Sequence, residues 1–405
     1  MSADSVLLFG VLLLAIGAGW WLGRRSRSVA MEPSDFDSSK GYYRGLNYLL
    51  NDEPDEAIDT FIQILEVNRD TLDTYLVIGQ LLRRRGETER AIRIHQNLMA
   101  RFDLEPTILA RVKLELAQDY LTAGVYDRAE RLLRELQKEG EDIRGEALRL
   151  LQEIYQTTQE WELAIHAAEH QLTARRSLLL RRAIPTDASA PRRRAIAHYC
   201  CELAKKKIDA KSWREARGYL KRALAHDRSS VRASMLLAEL EAHCGAPQRA
   251  LRAYQKIPEQ DPDWLPEIVQ ELVQRLRGTA AEEEALRFLQ QCLDRHPSAT
   301  LTLTVADLIG WQSGSDAAAA FLEERLVAGP NLHVLVEYLT QELATRAGDA
   351  PSGMRITRDL LRQLLTHQPR YRCRNCGYQG NELHWQCPSC KTWSENKPIY
   401  GMDGE

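Results

Sequence analysis

No glycine-rich phosphate loop, dinucleotide fingerprint, G-x-S-x-G elbow or H-E-x-x-H helix occurs in the 405 residues. Their absence sets aside the commonest nucleotide-dependent, serine-hydrolase and zinc-protease chemistries. β-Branched residues are sparse beside leucine, alanine and arginine, which favours helix throughout. Neither sign of charge dominates: 54 basic and 57 acidic residues leave a net charge of −3. That balance argues against a protein held on nucleic acid by bulk charge, and no nucleic-acid partner is expected. The chain is 44% hydrophobic and 27% charged, so it can bury a core and is not globally disordered. Its length suits two or three ordinary domains or one long repeat array.

Cysteine is scarce outside one cluster. Cys200, Cys201, Cys244 and Cys292 fall inside helical patterns, where a free thiol acts as a small buried hydrophobe. Cys373, Cys376, Cys387 and Cys390 form two pairs with two residues inside each pair and ten between them. Two intervening residues let both thiolates of a turn face one ion, and two such knuckles complete a tetrahedral four-sulfur site for zinc or iron. Gly377 gives the first knuckle a permissive backbone. Disulfides closing loops this tight would be strained. With four protein ligands no position is left for water, so the expected role is structural. Tyr371, Tyr378, Trp385 and Trp393 are expected to shelter the cluster, because so few residues cannot bury a core unaided. His384 is a poor substitute ligand beside four cysteines in phase. The remaining histidines, among them His95, His166, His170 and His198, are scattered. His166 and His170 share a helix face and could bind metal with a third ligand, although surface decoration is the plainer reading. No catalytic residue is assigned.

Residues 6–22 carry no charge, about 26 Å of helix and the short end of a bilayer span. Trp20 and Trp21 stand where interfacial aromatics sit, and Arg24, Arg25 and Arg27 follow, whereas only Asp4 precedes. The positive-inside rule puts the bulk of the chain in the cytoplasm and a short N-terminus outside. A cleaved signal peptide would want charge before the run and small residues after it, and neither is present. The organisation expected is a transmembrane anchor over 1–25, a polar linker over 26–40, helical repeats over 41–368 and a metal-binding module over 369–400.

The repeats show as self-similarity. Gly45, Tyr48, Ala57 and Phe61 match the small and apolar positions of a tetratricopeptide unit, and Gly79, Leu82 and Ala91 recur 34 residues on. A packing alanine recurs at Ala57, Ala91, Ala129, Ala164, Ala216, Ala250, Ala285 and Ala319, most steps being 34 or 35 residues. Turns such as RGETERA, AGVYDRA and AKSWREA precede it in register. The step of 52 residues contains an insertion over 175–195, broken by Pro185 and Pro191. It reads as a longer helix, a loop and the basic start of the next helix; a basic patch for a membrane or an acidic partner is the alternative. The fold class is therefore all-α, a tetratricopeptide solenoid with an N-terminal transmembrane helix and a small rubredoxin-like or zinc-ribbon module. Such a solenoid binds a peptide or helix in its groove.

The arginine-flanked span, the opening GYYRGLNYLLNDEPDEAID and the closing YRCRNCGYQGNELHWQCPSCKTWSENKPI, in that order, resemble the lipopolysaccharide assembly protein B family of Gram-negative bacteria. The resemblance covers essentially the whole chain. It implies an inner-membrane adaptor that presents the lipid A deacetylase to the membrane AAA protease, with links to lipopolysaccharide assembly and transport proteins and to an antagonist membrane hydrolase-like protein. The family's terminal module is rubredoxin-like and packs on the repeats; its metal ligands carry over to Cys373, Cys376, Cys387 and Cys390. Lys391, where true rubredoxins have glycine, and the short spacer weaken a redox reading and place zinc ahead of iron as the single bound ion. The module is expected to fix and cap the C-terminal end of the array, leaving the groove for client or protease. Electron transfer and a general envelope scaffold without a proteolytic role are the alternatives, and a homodimer is left open.

Overall fold

The computed structural model describes residues 72–100, 104–179, 189–346, 352–402 and 404–405, with scattered positions before 72; side chains of 173–179 are not included. The expected anchor, the linker and the first repeat around Ala57 lie outside the described residues, apart from isolated positions such as Gly17, Ala18, Trp20 and Trp21, which are helical. Among the described residues no helix is long and apolar enough to cross a membrane. The chain divides into two compact units, residues 1–143 and 144–405.

In the first unit α1 (Leu72–Arg84) and α2 (Thr88–Met99) form one pair, followed by α3 (Pro106–Thr122) and α4 (Tyr126–Leu136). The small residue at Gly79 is required by contact, since a methyl group there would overlap the buried His95 imidazole of α2. His95 Nδ1 is paired with Asp119 of α3, itself fully buried, and Arg83 reaches Asp119 at 2.6 Å and Glu115 at 2.7 Å. A buried carboxylate is tolerated because cation and imidazole surround it.

The second unit continues with pairs α5 (Glu141–Thr157) and α6 (Trp161–Leu179), α7 (Ala190–Asp209) and α8 (Trp213–His226), and α9 (Val231–His243) and α10 (Pro247–Tyr254). After a one-turn helix, Ile257–Gln260, come α11 (Leu265–Leu276) with α12 (Glu282–Arg295), α13 (Ala299–Ser313) with α14 (Ser315–Ala328), and α15 (Leu332–Thr345) with α16 (Ser352–Thr366). The last repeats, at Ala285 and Ala319, are helix pairs like the others. In the insertion, α6 runs on to Leu179 and α7 restarts at Ala190.

The alanine ladder has a structural cause. Ala91, Ala129, Ala164, Ala216, Ala250 and Ala285 are each the fourth residue of a second helix, and all are buried. Five residues before the first five of these, Gly86, Gln159, Lys211 and their counterparts adopt left-handed backbone, with φ of 85°, 60° and 56° at those named. The next amide then bonds back to the first helix, as in Glu87 to Leu82 at 2.9 Å and Ser212 to Lys207 at 2.8 Å. This closure satisfies carbonyls a helix end would otherwise leave open and fixes the angle of each pair.

The terminal module is a three-stranded antiparallel sheet, ordered β2 (Gln379–Gly380), β1 (Tyr371–Cys373), β3 (Asn396–Pro398). Its position corrects the capping expectation. It rests on the first helices α5, α7, α9 and α11, and the chain that follows it reaches the starts of α13 and α15. The last helix, α16, buries no residue and exposes Ile356, Leu360 and Leu364 as one stripe. Cys244 also departs from expectation: it ends α9 and is exposed, 3.8 Å from Arg217. Cys200, Cys201 and Cys292 are buried, and burial pushes the thiols of Cys200 and Cys201 up to about 12.

Candidate metal centre

The two knuckles are built alike. In the first, the Cys373 amide donates to the Tyr378 carbonyl at 2.7 Å, and the Gly377 amide to the Cys373 carbonyl at 2.9 Å. In the second, the Cys387 amide donates to Thr392 at 2.9 Å and the Lys391 amide to Cys387 at 3.0 Å. Gly377 (φ 78°) and Lys391 (φ 59°) occupy the same left-handed position. Lys391 therefore performs the turn of a glycine at some backbone strain, which the sequence comparison with true rubredoxins could not decide.

All four sulfurs lie within 4.8 Å of one another. Cys373 and Cys390 Sγ are 3.7 Å apart, as are Cys376 and Cys387 Sγ. A disulfide needs about 2.05 Å. A tetrahedron with sulfur at about 2.3 Å from its centre has edges of about 3.8 Å, so this donor set fits one thiolate-preferring ion. Among the described residues no other group of three or more histidine, cysteine or acidic side chains converges in this way, and His384 is not in the set.

Burial divides the four. Cys373 and Cys387, the first of each knuckle, are buried, whereas Cys376 is exposed and Cys390 half-exposed. The Asn375 amide and then the Thr392 hydroxyl and backbone amide pull Cys390 down to about 5, because each donates to the thiolate. The Tyr378 amide likewise holds Cys376 below the usual thiol range. Burial pushes Cys387 up to about 11; a divalent ion would supply the positive charge that this interior sulfur lacks.

Three of the four aromatic residues expected to shelter the cluster, Tyr371, Trp385 and Trp393, fasten the module to the helices. Trp385 stacks on the fully buried Trp264 at 4.5 Å between centroids, with Arg232 of α9 over its ring at 5.6 Å. Trp393 stacks on His198 of α7 at 4.6 Å, meets Tyr199 edge-on and donates from Nε1 to Gln156 of α5 at 3.3 Å. Burial, then the Arg232 and Arg194 charges, hold His198 well below the usual imidazole range, so its bond to Ser394 at 2.7 Å is made by a neutral ring. The Tyr371 hydroxyl donates to Glu267 of α11 at 2.7 Å.

Ion pairs frame these rings. Lys397, largely buried, bridges Asp261 and Asp263, and Arg374 joins Asp263. Arg194 meets Glu395 at 2.9 Å. Beyond β3 the chain hooks onto two helix starts: the Glu405 carboxylate accepts from the Thr300 amide and hydroxyl at 3.0 and 2.7 Å, and the Leu332 amide donates to Met402 at 2.8 Å. Orphan amides of α13 and α15 are thereby satisfied by the C-terminus. Sequence reading singled out Tyr371, Trp385 and Trp393 but missed their partners on the helices and the ion pairs; no spacing rule links residues such as Trp393 and Gln156, which lie 237 positions apart.

A helical repeat array bearing a docked four-cysteine sheet defines a tetratricopeptide protein with a rubredoxin-type module. Models of the tetratricopeptide repeat match residues 74–105 and 207–276, and that of the rubredoxin metal binding domain matches 371–395. The chain is 34% identical over 403 residues to Lipopolysaccharide assembly protein B of Escherichia coli, covering 98% of this chain and 99% of that one. It is 31% identical to the protein of the same name from Haemophilus influenzae, with the same coverage. This chain belongs to the lipopolysaccharide assembly protein B family. Among solved structures it is similar to a tetratricopeptide repeat protein from Parabacteroides merdae, at 14% identity and a TM-score of 0.32, covering 67% of this chain and 98% of that one.

Proposed function

We propose that this protein is a non-enzymatic adaptor of lipopolysaccharide synthesis. In this reading residues 6–22 hold it in the inner membrane with its bulk in the cytoplasm, where it presents the lipid A deacetylase to the membrane AAA protease and couples to the assembly machinery. Cys373, Cys376, Cys387 and Cys390 hold one zinc ion. The observation that carries the proposal is the docking of the four-cysteine module along four successive first helices, in a chain matching relatives named for lipopolysaccharide assembly along its whole length. That docking makes module and helices one body, as a scaffold requires, and ties the ion to folding energy.

Because the module covers part of the first helices between Gln156 and Glu267, a client of the second unit has the second helices, the exposed side of the module and the α16 stripe left to it. Membrane anchoring raises the effective concentration of the adaptor at a membrane protease. The test is the level of the deacetylase in cells depleted of this protein. A rise that vanishes when the protease is also inactive supports the adaptor; an unchanged level moves the function to assembly scaffolding.

Exposure of Cys376 favours one second reading, electron transfer through bound iron, since a surface sulfur gives an electron a way out. A coloured protein cycling between two redox states would support it, and a colourless zinc protein would end it.

A further inference from the structure

Helix α6 carries a pair of histidines that the four-cysteine centre does not use. His166 and His170 are exposed, one turn apart, and their Nε2 atoms lie 3.1 Å from each other. Their ring centroids are 4.3 Å apart and the planes are tilted by 55°. Helical spacing puts residues i and i+4 on one face, and a hydrogen bond between the two Nε2 atoms turns both rings toward one point, where a metal ion would take the place of the shared proton. Nitrogens about 2.0–2.1 Å from a shared tetrahedral ion are about 3.3 Å apart, close to the separation found here.

The flanking carboxylates have other partners. Glu162, one turn earlier, accepts from Tyr219 at 3.1 Å. Glu169 is bonded to Arg222 at 2.8 Å and His226 at 3.0 Å. Among the described residues no third histidine, cysteine or acidic side chain joins the pair in a potential ligand group. The described residues thus offer a two-point chelate on exposed rings.

We propose that His166 and His170 form a second metal site that takes a divalent first-row transition ion with a preference for imidazole, of the nickel, copper and zinc class. It differs in kind from the four-cysteine centre. That centre is a closed sulfur cage suited to a structural ion, whereas this one is an open nitrogen chelate whose free positions accept water or a donor from another molecule. An ion here also clamps successive turns of α6.

The test uses the full chain without a histidine tag, with its cysteine centre already loaded. Titration with Ni²⁺ in a calorimeter is expected to show one binding event per chain, lost in His166→Ala and lost again in His170→Ala. Both positions are exposed and alanine favours helix, so each variant should keep its helical circular dichroism. Nickel binding that survives unchanged in both variants, or no binding to the unmodified chain, overturns the proposal. Retention on a nickel-chelate resin, lost in the same variants, is the second readout.

Discussion

Two kinds of junction hold the second unit together, and they differ in nearly every physical respect. The helix pairs close on a seam of small and aliphatic residues, Ala164, Ala216, Ala250 and Ala285 with neighbours such as Leu220, Leu251 and Leu289, all buried. That seam recurs with each repeat and involves residues near in sequence. The module and the residues after it instead meet the helices through tryptophan rings, a buried lysine between two aspartates, a tyrosine–glutamate bond and the Glu405 side-chain carboxylate. Each of those contacts occurs once, between partners about 100 to 240 positions apart. Non-directional burial can be repeated by a short pattern; directional contacts must each be met by an individual partner.

The largest expected effect separates the two junctions outright. Cys373→Ser leaves three thiolates around the ion and disrupts a fold of three short strands that has little core of its own. Protection of the β1 and β3 amides against hydrogen exchange should fall to that of an unfolded segment, while amides of α7 and α9 remain protected. Equal loss in both regions would show that the alanine seam depends on the metal.

A smaller loss is expected from Trp385→Ala. The change removes stacking on Trp264 and the Arg232 contact, and leaves all four cysteines in place. Truncating a buried aromatic costs about 3–5 kcal/mol; Trp385 is only partly buried, so about 2–3 kcal/mol of docking stability should go. The ion should stay bound with unchanged stoichiometry. Loss of metal together with docking would mean that the knuckles cannot hold the ion without the helices, and the two junctions would then be one.

The contrast also explains what could be read from sequence. Alanine periodicity was legible because a left-handed turn, as at Gly86, Gln159 or Lys211, stands five residues before Ala91, Ala129, Ala164, Ala216 and Ala250, inside a single repeat. The cysteine knuckles were legible for the same reason, since each hydrogen-bonded turn spans at most six residues, as from Cys373 to Tyr378. Where the module sits was not legible. Trp264, Glu267 and Asp263 look like ordinary surface or core residues of a repeat, and only the tertiary fold brings them beneath Trp385, Tyr371 and Lys397. Reading Trp385 and Trp393 as shelter for the cluster recognised that such a module needs apolar cover; that the module packs on the repeats came from the family resemblance, and which helix residues receive it came from neither.

Finally, the docking junction can titrate where the alanine seam has nothing to protonate. Burial raises the Glu267 carboxyl above its ordinary 4.5, with the Tyr371 hydroxyl and Arg370 working against the shift and Glu405 adding to it. A carboxyl that binds its proton more tightly when folded contributes stability below about pH 4.5, and that contribution is lost as pH rises through the folded value. At neutral pH the ionised group therefore opposes docking slightly. Glu267→Gln keeps an oxygen to accept from Tyr371 and removes the charge. Exchange protection of β1 in the variant is expected to lose the part of its decline between pH 4.5 and 7 that the wild-type owes to this group, and to equal or modestly exceed the wild type at pH 7. The same slope in both proteins would mean that Glu267 does not titrate in this window, and that any pH dependence of the junction arises from other groups.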